Sequence, residues 1–358
     1  MSGGTLRVGV VGLGWAGVTH ADAYALLPGV EVHALAGQEP EQLAAVGERL
    51  AVPHRYTDWE DLVARDDLDI VSIAAPNWLH DQVAVAALEA GKHVLCEKPL
   101  ALDAARARRM VDAAVAADRV LWTVFNYRER GDVRTLRRFV DEGGLGRIYH
   151  VKASWSRRRH PIGDTWFTRR DRSGGGPLID IGVHMLDLVL YLMDEQVVTR
   201  ASGFTHAELV PASIAAAGGD SAGYEVEDLG GGMLRTRSGA SVYLEASWAL
   251  HAPIPDNEMA LTLHGTEGAA TLVIKDYAPV GTLQFSTDVA GRPAETFPVV
   301  PLGGGHADVV AKFVAAVRSG EWGEHRGIEG LRRSIVIDAL YRSAEKDEEV
   351  DVAYERDA

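Results

Sequence analysis

A glycine-rich turn near the start of the chain constrains the fold more than any other feature. Gly12, Gly14 and Gly17 lie between the apolar run Leu6–Val11 and an amphipathic stretch that reaches residue 27. The first glycine permits a tight turn, the second admits a pyrophosphate, and the third lets helix and strand pack closely. The helix N-terminus then offers amides and a partial positive charge, which favour a dinucleotide over a purely structural turn. The residues between the last two glycines complete the predicted cofactor loop: Trp15 and Ala16.

The pattern that follows alternates between strand and helix as far as residue 125. Apolar runs typical of buried strands occupy residues 30–36, 69–75, 93–96 and 120–125. Helical segments separate them at residues 40–50, 80–90 and 103–117. This alternation predicts an α/β domain over residues 1–125, a Rossmann fold with a doubly wound parallel sheet.

The pattern changes after residue 125. Strand-like runs separated by turns occupy residues 148–155, 229–236, 240–248, 259–264 and 269–274. Two helical segments at 308–318 and 328–346 precede an acidic tail that we expect to be solvated, and the Ala- and Gly-rich segment 210–223 is interpreted as a loop. Residues 126–358 are therefore predicted to form an α+β domain with a large open, mostly antiparallel sheet.

Composition narrows the class of protein. A chain of 358 residues with 47% hydrophobic and 24% charged residues can bury the cores of two domains. The net charge of −15 argues against a nucleic-acid partner, which requires concentrated Lys and Arg. The single cysteine cannot form an internal disulfide, and we see neither a signal-peptide pattern nor an apolar run of the roughly 20 residues that a membrane span needs. We expect a soluble, cytoplasmic protein without a membrane partner.

The end of the second strand should identify the form of the cofactor. An acidic residue that binds the adenosine ribose is expected about 20 residues beyond the glycine turn. Gly37 and Gln38 occupy this place, Glu39 comes slightly late, and no arginine is close enough in sequence to receive a 2′-phosphate. The sequence leaves NAD(H) and NADP(H) open, with a slight preference for NAD.

Polar residues follow the next two strands of the predicted sheet. Open α/β sheets bind ligands at the carboxyl ends of their strands. Pro76, Asn77 and His80 follow the third strand, and Glu97 and Lys98 follow the fourth. An ordinary turn with a helix cap is the alternative for the first group, and a surface lysine is the alternative for the second.

A third cluster lies in the second domain, where the glycine run at 174–176 leads into an apolar helical stretch. Asp180 and His184 are four residues apart, which predicts that both lie on one face of a single helix. Burying two polar groups without partners costs on the order of 2 kcal/mol each, so they need a reason to be there. A satisfied core histidine is one alternative. A metal site is disfavoured because no second His or Cys stands in ligand spacing, and we predict no metal.

Together, the glycine loop, the Glu97-Lys98-Pro99 motif and the segment from Gly174 to Asp187 closely resemble the glucose-fructose oxidoreductase/inositol dehydrogenase/MocA family. The resemblance covers nearly the whole chain. It implies an NAD(P)-dependent oxidoreductase of sugars or polyols, and a homodimer or homotetramer formed through the C-terminal sheet. It also implies three catalytic residues: Lys98, Asp180 and His184.

The resemblance implies further contacts with cofactor and substrate. Besides the glycine loop, the residues implied to contact the nicotinamide half or the domain junction are Pro76, Asn77, His80, Glu97, Lys98 and Asn126. The candidate substrate contacts are Arg128, His160 and Trp166, for which a solvated basic loop is the equal alternative. The missing acid at Gly37 and Gln38 departs from many members that use NAD.

The implied mechanism exchanges a proton and a hydride at one carbon. His184 would exchange the hydroxyl proton, because an unperturbed pKa of about 6.5 suits that role at neutral pH. Lys98 would stabilise the charge on the reacting oxygen, and Asp180 would orient His184. Two other functions stay open: an NAD-dependent glycosidase that oxidises its sugar transiently, and a sensor that binds cofactor or sugar without turnover.

Overall fold

The computed structural model describes residues 4–159, 165–218 and 221–354. The first half of the chain contains, in order, β1 Leu6–Val11, α1 Trp15–Ala25, β2 Val30–Ala36, α2 Pro40–Arg49, β3 His54–Tyr56, α3 Trp59–Val63, β4 Ile70–Ile73, α4 Asn77–Glu89, β5 His93–Cys96, α5 Ala104–Ala117, β6 Leu121–Thr123, α6 Gly131–Asp141 and β7 Ile148–Arg157.

The second half continues with α7 Arg170–Ser173, α8 Pro177–Asp180, α9 Gly182–Leu192, β8 Val198–His206, α10 Leu209–Ala216, β9 Leu229–Thr236, β10 Ser241–Ser247, β11 Asn257–Gly265, β12 Gly268–Lys275, β13 Thr282–Val289, β14 Arg292–Thr296, α11 His306–Ser319, α12 Ile328–Lys346 and β15 Val350–Asp351. Short 3-10 turns lie at Asn126–Glu129, Trp166–Thr168 and Ser221–Gly223.

The chain divides into two compact units. The first contains Met1–Asn126 and Gly305–Ser334, and the second contains Tyr127–Gly304 and Ile335–Ala358. The sequence-based boundary after residue 125 lies one residue from the first division, but Gly305–Ser334 departs from the predicted division into 1–125 and 126–358. The reason is the apolar face of α11, whose Phe313 is fully buried in one core with Tyr24 of α1.

The first unit is built on a parallel sheet. Within the described residues it has six strands in the order β3-β2-β1-β4-β5-β6. This is the strand order of the Rossmann fold, which confirms the predicted doubly wound sheet. The order reverses between β1 and β4, so the turns that follow these strands flank the switch point where such sheets bind ligands. The sequence patterns missed β3, a strand of only three mostly polar residues.

The second unit is built on a larger sheet. Its nine strands, counted over the described residues, run β14-β13-β12-β11-β7-β10-β9-β8-β15. All neighbours are antiparallel except β10 and β7, so the predicted mostly antiparallel sheet is confirmed. The tail predicted to be solvated contains β15, which pairs with β8.

The loop predicted for residues 210–223 is wrong over its first half, because α10 occupies Leu209–Ala216. The carboxylate of Asp228 accepts hydrogen bonds from the amides of Leu209 at 2.6 Å and Val210 at 2.8 Å. This acceptor replaces the side-chain cap that a helix start normally takes from its own segment. Because Asp228 lies far along the chain, the local pattern contains no start signal.

No single helix among the described residues is long and apolar enough to cross a membrane. Two helical stretches bent by 50°, Arg170–Asp180 and Gly182–Leu192, reach that length and apolarity only when taken together.

The placement of α11 in the first unit can be tested by truncating its central side chain. We expect Phe313→Ala to lower the free energy of unfolding by about 3–5 kcal/mol, because it removes a fully buried aromatic ring. Urea unfolding followed by fluorescence measures the loss. The matched control is Val115→Ala on α5, whose side chain is 59% exposed and which should change stability by less than about 0.5 kcal/mol. Equal stability of the two variants would contradict the assignment.

Candidate active site

The glycine turn after β1 has the shape of a phosphate cradle. Gly12 has φ +87°, and a Cβ there would lie 2.5 Å from the carbonyl oxygen of Ala74. A Cβ on Gly17 would lie 1.9 Å from the carbonyl oxygen of Gly12, so neither position accepts a side chain. Gly14, by contrast, has nothing within 4 Å of such a Cβ, and α1 starts there without a side-chain cap. The turn therefore leaves room and amides for a pyrophosphate at Gly14, and a dinucleotide fits it.

The residues around this cradle differ in exposure. Trp15 is 75% exposed and meets the ring of His306 edge-on, with ring centroids 5.1 Å apart, and Ala16 beside it is half-buried. At the end of β2, Gln38 donates its amide to the carbonyl of Thr57 at 2.8 Å. Gly37 is buried beneath it and donates its N–H to Tyr56 at 3.0 Å. The ends of β2 and β3 are thus tied together beside the cradle.

The turn after β4 is tied to the turn after β5 by a histidine. His80 is 1% exposed, and its two ring nitrogens lie 2.8 Å from the carbonyl oxygens of Pro99 and Ala75. Burial lowers the pKa of this imidazole. A neutral ring carries one N–H, so His80 donates to one of these carbonyls at a time. Its place is between two turns, while Pro76 caps α4 and the buried Asn77 begins that helix.

Glu97, at the carboxyl end of β5, is surrounded by donors. Its Oε1 accepts from His20 Nε2 at 3.1 Å and is 3.3 Å from His306 Nε2, and its Oε2 accepts the amide of Lys98 at 3.2 Å. Burial alone would raise the pKa of Glu97, but the hydrogen bonds of the two histidines outweigh it and hold the pKa well below its usual value. Sequence reasoning missed both histidines, although a histidine on the apolar face of α1 is a usable signal.

Two groups of side chains in the first unit have the spacing of metal ligands. They are His20 with Glu97 and His306, and His33 with His54 and Asp67. In the first group, hydrogen bonds from the two histidines to Glu97 explain why the three side chains lie close together. In the second, Arg65 donates to both carboxylate oxygens of Asp67, at 2.8 and 2.6 Å, and its positive charge opposes a metal ion there. Neither group is assigned a metal.

In the second unit, the predicted single helix through Asp180 and His184 is wrong. Asp180 ends α8, His184 lies in the first turn of α9, and the chain bends at Ile181 between them. The helical stretch Arg170–Asp180, which ends with α8, is bent by 50° relative to α9. Gly182 allows it by packing against Ala246, whose Cβ would be 3.1 Å from an added Cβ. The two side chains therefore do not share one continuous helix face.

The glycine run before α8 is required by close packing. A Cβ on Gly175 would lie 2.1 Å from the hydroxyl of Tyr341, and one on Gly176 would lie 2.1 Å from the carbonyl oxygen of Glu227. The Glu227 side chain accepts the amides of Gly176 at 2.9 Å and Leu178 at 3.1 Å, and the Tyr341 hydroxyl at 2.8 Å. Burial raises the pKa of this carboxyl despite those donors. Glu227 thus caps α8 from a distant part of the chain.

Asp180 is held by side chains that sequence reasoning did not single out. The indole of Trp248 donates to its Oδ2 at 3.0 Å, and a guanidinium nitrogen of Arg157 lies 4.0 Å from the same oxygen. Trp248 is only 1% exposed, which fixes the direction of its N–H. Arg157 ends β7 and Trp248 directly follows β10, so both partners lie outside the segment that contains Asp180.

His184 lies among aromatic rings. Its ring centroid is 4.9 Å from that of Tyr127 and 5.6 Å from that of Trp155, and the residue is 6% exposed. The guanidinium of Arg157 lies over Trp155 at 5.8 Å and over Tyr277 at 6.0 Å. Arg157 therefore links the surroundings of Asp180 to those of His184. Aromatic walls with a few fixed polar groups are typical of small-molecule sites.

The predicted substrate contacts have different surroundings. Arg128 forms a bidentate pair with Asp187 on α9, at 2.8 and 2.6 Å, so its guanidinium anchors that helix. Trp166 stacks on Phe167 with centroids 3.8 Å apart, and Phe167 meets Trp248 edge-on at 6.5 Å. His160 lies outside the described residues. Asn126 starts a 3-10 turn at the end of the first unit's initial segment.

The structure brings the predicted residues together in two sets. The glycine cradle, Glu97 and Lys98 belong to the first unit, whereas Asp180 and His184 belong to the second. Lys98 follows β5 directly and precedes Pro99 through a cis peptide bond. The set in the first unit offers backbone amides for a phosphate. The set in the second unit offers a carboxylate and an imidazole beside aromatic side chains.

Comparisons with known proteins cover both units. The oxidoreductase family with an NAD-binding Rossmann fold matches residues 6–125, and the GFO/IDH/MocA C-terminal domain matches residues 133–271. Levoglucosan dehydrogenase of Pseudarthrobacter phenanthrenivorans is 29% identical, over 97% of this chain and 98% of that protein. D-glucoside 3-dehydrogenase of Escherichia coli is 34% identical, over 76% and 78%. A solved levoglucosan dehydrogenase complex with NADH and levoglucosan superposes with TM-score 0.84 at 27% identity, covering 98% of this chain and 100% of that one.

The cap on α8 can be tested by removing its acceptor. We expect Glu227→Leu to lower the free energy of unfolding by at least about 3 kcal/mol, because two amides and a hydroxyl lose their buried partner. Tyr341→Phe removes one of these bonds and should cost about 1 kcal/mol. Urea unfolding measures both, with Glu267→Leu at an exposed glutamate of the same unit as the control. A Glu227→Leu protein no less stable than Tyr341→Phe would show that the cap contributes little.

Proposed function

The chain belongs to the GFO/IDH/MocA oxidoreductase family, and from this premise we propose that it is an NAD-dependent dehydrogenase of a sugar, glycoside or polyol. It oxidises a secondary alcohol to the ketone, or reduces the ketone in the reverse direction. The observation that carries the proposal is that one chain holds both an open glycine cradle at Gly14, in its first unit, and Asp180 and His184 beside aromatic side chains, in its second unit. Relatives that act on levoglucosan and on D-glucosides support the substrate class.

The residues divide the chemistry between them. The dinucleotide is held by the cradle and, when bound, supplies the nicotinamide that accepts or returns hydride. His184 takes the hydroxyl proton during oxidation and returns it during reduction. Lys98 holds the reacting oxygen and stabilises the negative charge that develops on it. Asp180, fixed by the Trp248 indole, orients the imidazole.

The surroundings of His184 suit a sugar ring. Tyr127 is half-buried and can pack its flat apolar face on the C–H face of a pyranose or cyclitol, while the buried Trp155 packs on the other side chains around His184. Excluding water strengthens each charged interaction at the reacting carbon. Arg157, within 4.0 Å of Asp180, offsets part of the negative charge in this enclosure.

We also propose that NAD is preferred over NADP. The amide nitrogen of Gln38 is committed to Thr57, which leaves its carbonyl oxygen as an acceptor for a ribose hydroxyl. Gln38 brings no positive charge for a 2′-phosphate. The NADH in the solved levoglucosan dehydrogenase complexes supports the same preference.

The wider setting of the enzyme follows from the same reasoning. We propose a homodimer or homotetramer joined through the sheet of the second unit, where Met233 is 41% exposed beside the half-buried Tyr243 of the adjacent strand.

We place the enzyme in the cytoplasm, since the one cysteine of the sequence, Cys96, is a buried free thiol.

A panel assay tests the function. We expect reduced nicotinamide to accumulate at 340 nm when the protein is given NAD⁺ with levoglucosan, glucosides or inositols, and at least about tenfold lower kcat/KM with NADP⁺. Release of free sugar from a glycoside without net formation of NADH would reject the dehydrogenase and support the glycosidase. Cofactor binding without turnover of any substrate in the panel would support the sensor.

The assignment of catalytic residues has its own test. We expect Lys98→Ala and His184→Ala each to lower kcat by about 10³-fold or more, because each removes a group that acts on the transition state. Binding of NADH, followed by fluorescence titration, should change little. Arg318→Ala, at an exposed position on α11, serves as the control and should keep normal turnover. Near-normal turnover in both active-site variants would reject these roles.

A further inference from the structure

A buried His–Glu–His cluster lies where β5 ends and Lys98 begins. His20, on α1, is fully buried, and Glu97 and His306 are each about nine-tenths buried at their side chains. The carboxylate oxygen Oε1 stands 3.1 Å from His20 Nε2 and 3.3 Å from His306 Nε2. The reaction described above uses neither histidine, yet a histidine pair on one buried carboxylate is costly to assemble.

The cluster is drawn from three distant parts of the first unit. His20 follows the glycine cradle, Glu97 follows β5, and His306 is the first residue of α11. The second ring nitrogen of His20 lies 3.0 Å from the hydroxyl of Ser72 on β4. His306 also meets the exposed Trp15 edge-on at the rim of the cradle. The cluster therefore connects the cofactor loop, two strand ends and the returning helix.

The direction of the hydrogen bonds in the cluster follows from Glu97. Its carboxyl pKa is held well below the usual value by the histidine hydrogen bonds, which outweigh the opposing effect of burial. An ionised carboxylate only accepts, so each imidazole presents an Nε2–H to it. The ring nitrogens of His20 and His306 that face Glu97, and the His20 nitrogen that faces the Ser72 hydroxyl, all have hydrogen-bonding partners within the first unit.

We propose that His20 and His306 are positioning residues, which fix Oε1 of Glu97 so that its Oε2 holds the backbone amide of Lys98. The Lys98 amide lies 3.2 Å from Oε2, at the point where its side chain leaves the strand end. The inference rests on the proposed function for its effect on turnover, since it assigns Lys98 the role of holding the reacting oxygen. In this proposal α11 helps to position Lys98 through His306, its first residue. The two residues are about two hundred positions apart in the sequence.

The physical effect of losing a histidine follows from this geometry. Two donors on one oxygen fix the rotation of the carboxylate, whereas one donor leaves a buried anion short of hydrogen bonds. The carboxylate would then turn towards water or another donor, and the Lys98 amide would lose its acceptor. A displacement of about 1 Å at a catalytic group can cost on the order of a hundredfold in rate.

The experiment compares three variants of the full-length protein. His306→Leu removes the donor, His306→Gln keeps an N–H near the Nε2 position, and His325→Leu is the matched control. His325 lies in the same returning segment and, like His306, contacts a tryptophan ring, that of Trp122 at 4.8 Å. For each protein we would measure kcat, sugar KM, NADH binding and hydrogen exchange of the peptide that contains residues 97–99.

We expect His306→Leu to lower kcat by about 10- to 100-fold with sugar KM and the Kd of NADH within about threefold. His306→Gln should recover kcat to within about fivefold, and His325→Leu should match the wild type. Hydrogen exchange at Lys98 should be faster in His306→Leu alone. Hydrogen exchange can be measured without turnover. If the wild-type protein proved inactive on every substrate, the proposed function would be rejected, but the exchange data would still test the hydrogen bonds of the cluster.

Three results would overturn the inference. One is unchanged kcat and unchanged exchange at Lys98 in His306→Leu. Another is an equal loss of kcat in His306→Leu and His306→Gln, which would indicate that His306 acts only through packing. The third is one equivalent of Zn²⁺ retained by the wild type and lost in His306→Leu, with activity abolished by chelation, which would make the cluster a metal site.

Discussion

Backbone amides at the starts of functional segments need acceptors, and in both units a buried carboxylate supplies them. Glu97 accepts the amide of Lys98, and Glu227 accepts the amides of Gly176 and Leu178 just before Asp180. Amides buried without a partner cost about as much as a lost hydrogen bond each, so these carboxylates decide where the segments can start. The position of each functional side chain thus depends on a glutamate that does not itself perform the reaction.

The two carboxylates are stabilised differently. Glu97 is surrounded by imidazoles, which keep its pKa well below the usual value, whereas burial dominates at Glu227 and raises its pKa. For Glu227, the folded state therefore binds its proton more tightly than the unfolded chain does. Its contribution to stability is complete at low pH and declines as the pH rises from about 4.5 through the folded pKa. For Glu97 the sign is opposite, and its contribution is lost as the pH falls.

Local patterns predicted the features that depend on neighbouring residues. The glycine turn, the alternation of strands and helices up to residue 125 and the position of Lys98 after β5 all follow from short stretches of sequence. The same patterns failed where a distant residue decides the structure. The start of α10 depends on Asp228, and the break after Asp180 follows a cap by Glu227 and a close contact between Gly182 and Ala246. No window of ten residues contains both partners of any of these contacts.

The two units also use side chains in opposite ways, which explains why one site was easier to foresee than the other. The cradle works because side chains are absent: Gly12 and Gly17 would collide with backbone, and Gly14 leaves a ligand room to approach. A spacing of glycines is readable from the sequence alone. The surroundings of Asp180 and His184 work because large side chains from separate parts of the chain converge, among them Trp155 on β7 and Trp248 just after β10. Which of these side chains meet depends on how distant parts of the chain are placed by the folded sheet. Their meeting therefore cannot be predicted from a local sequence pattern.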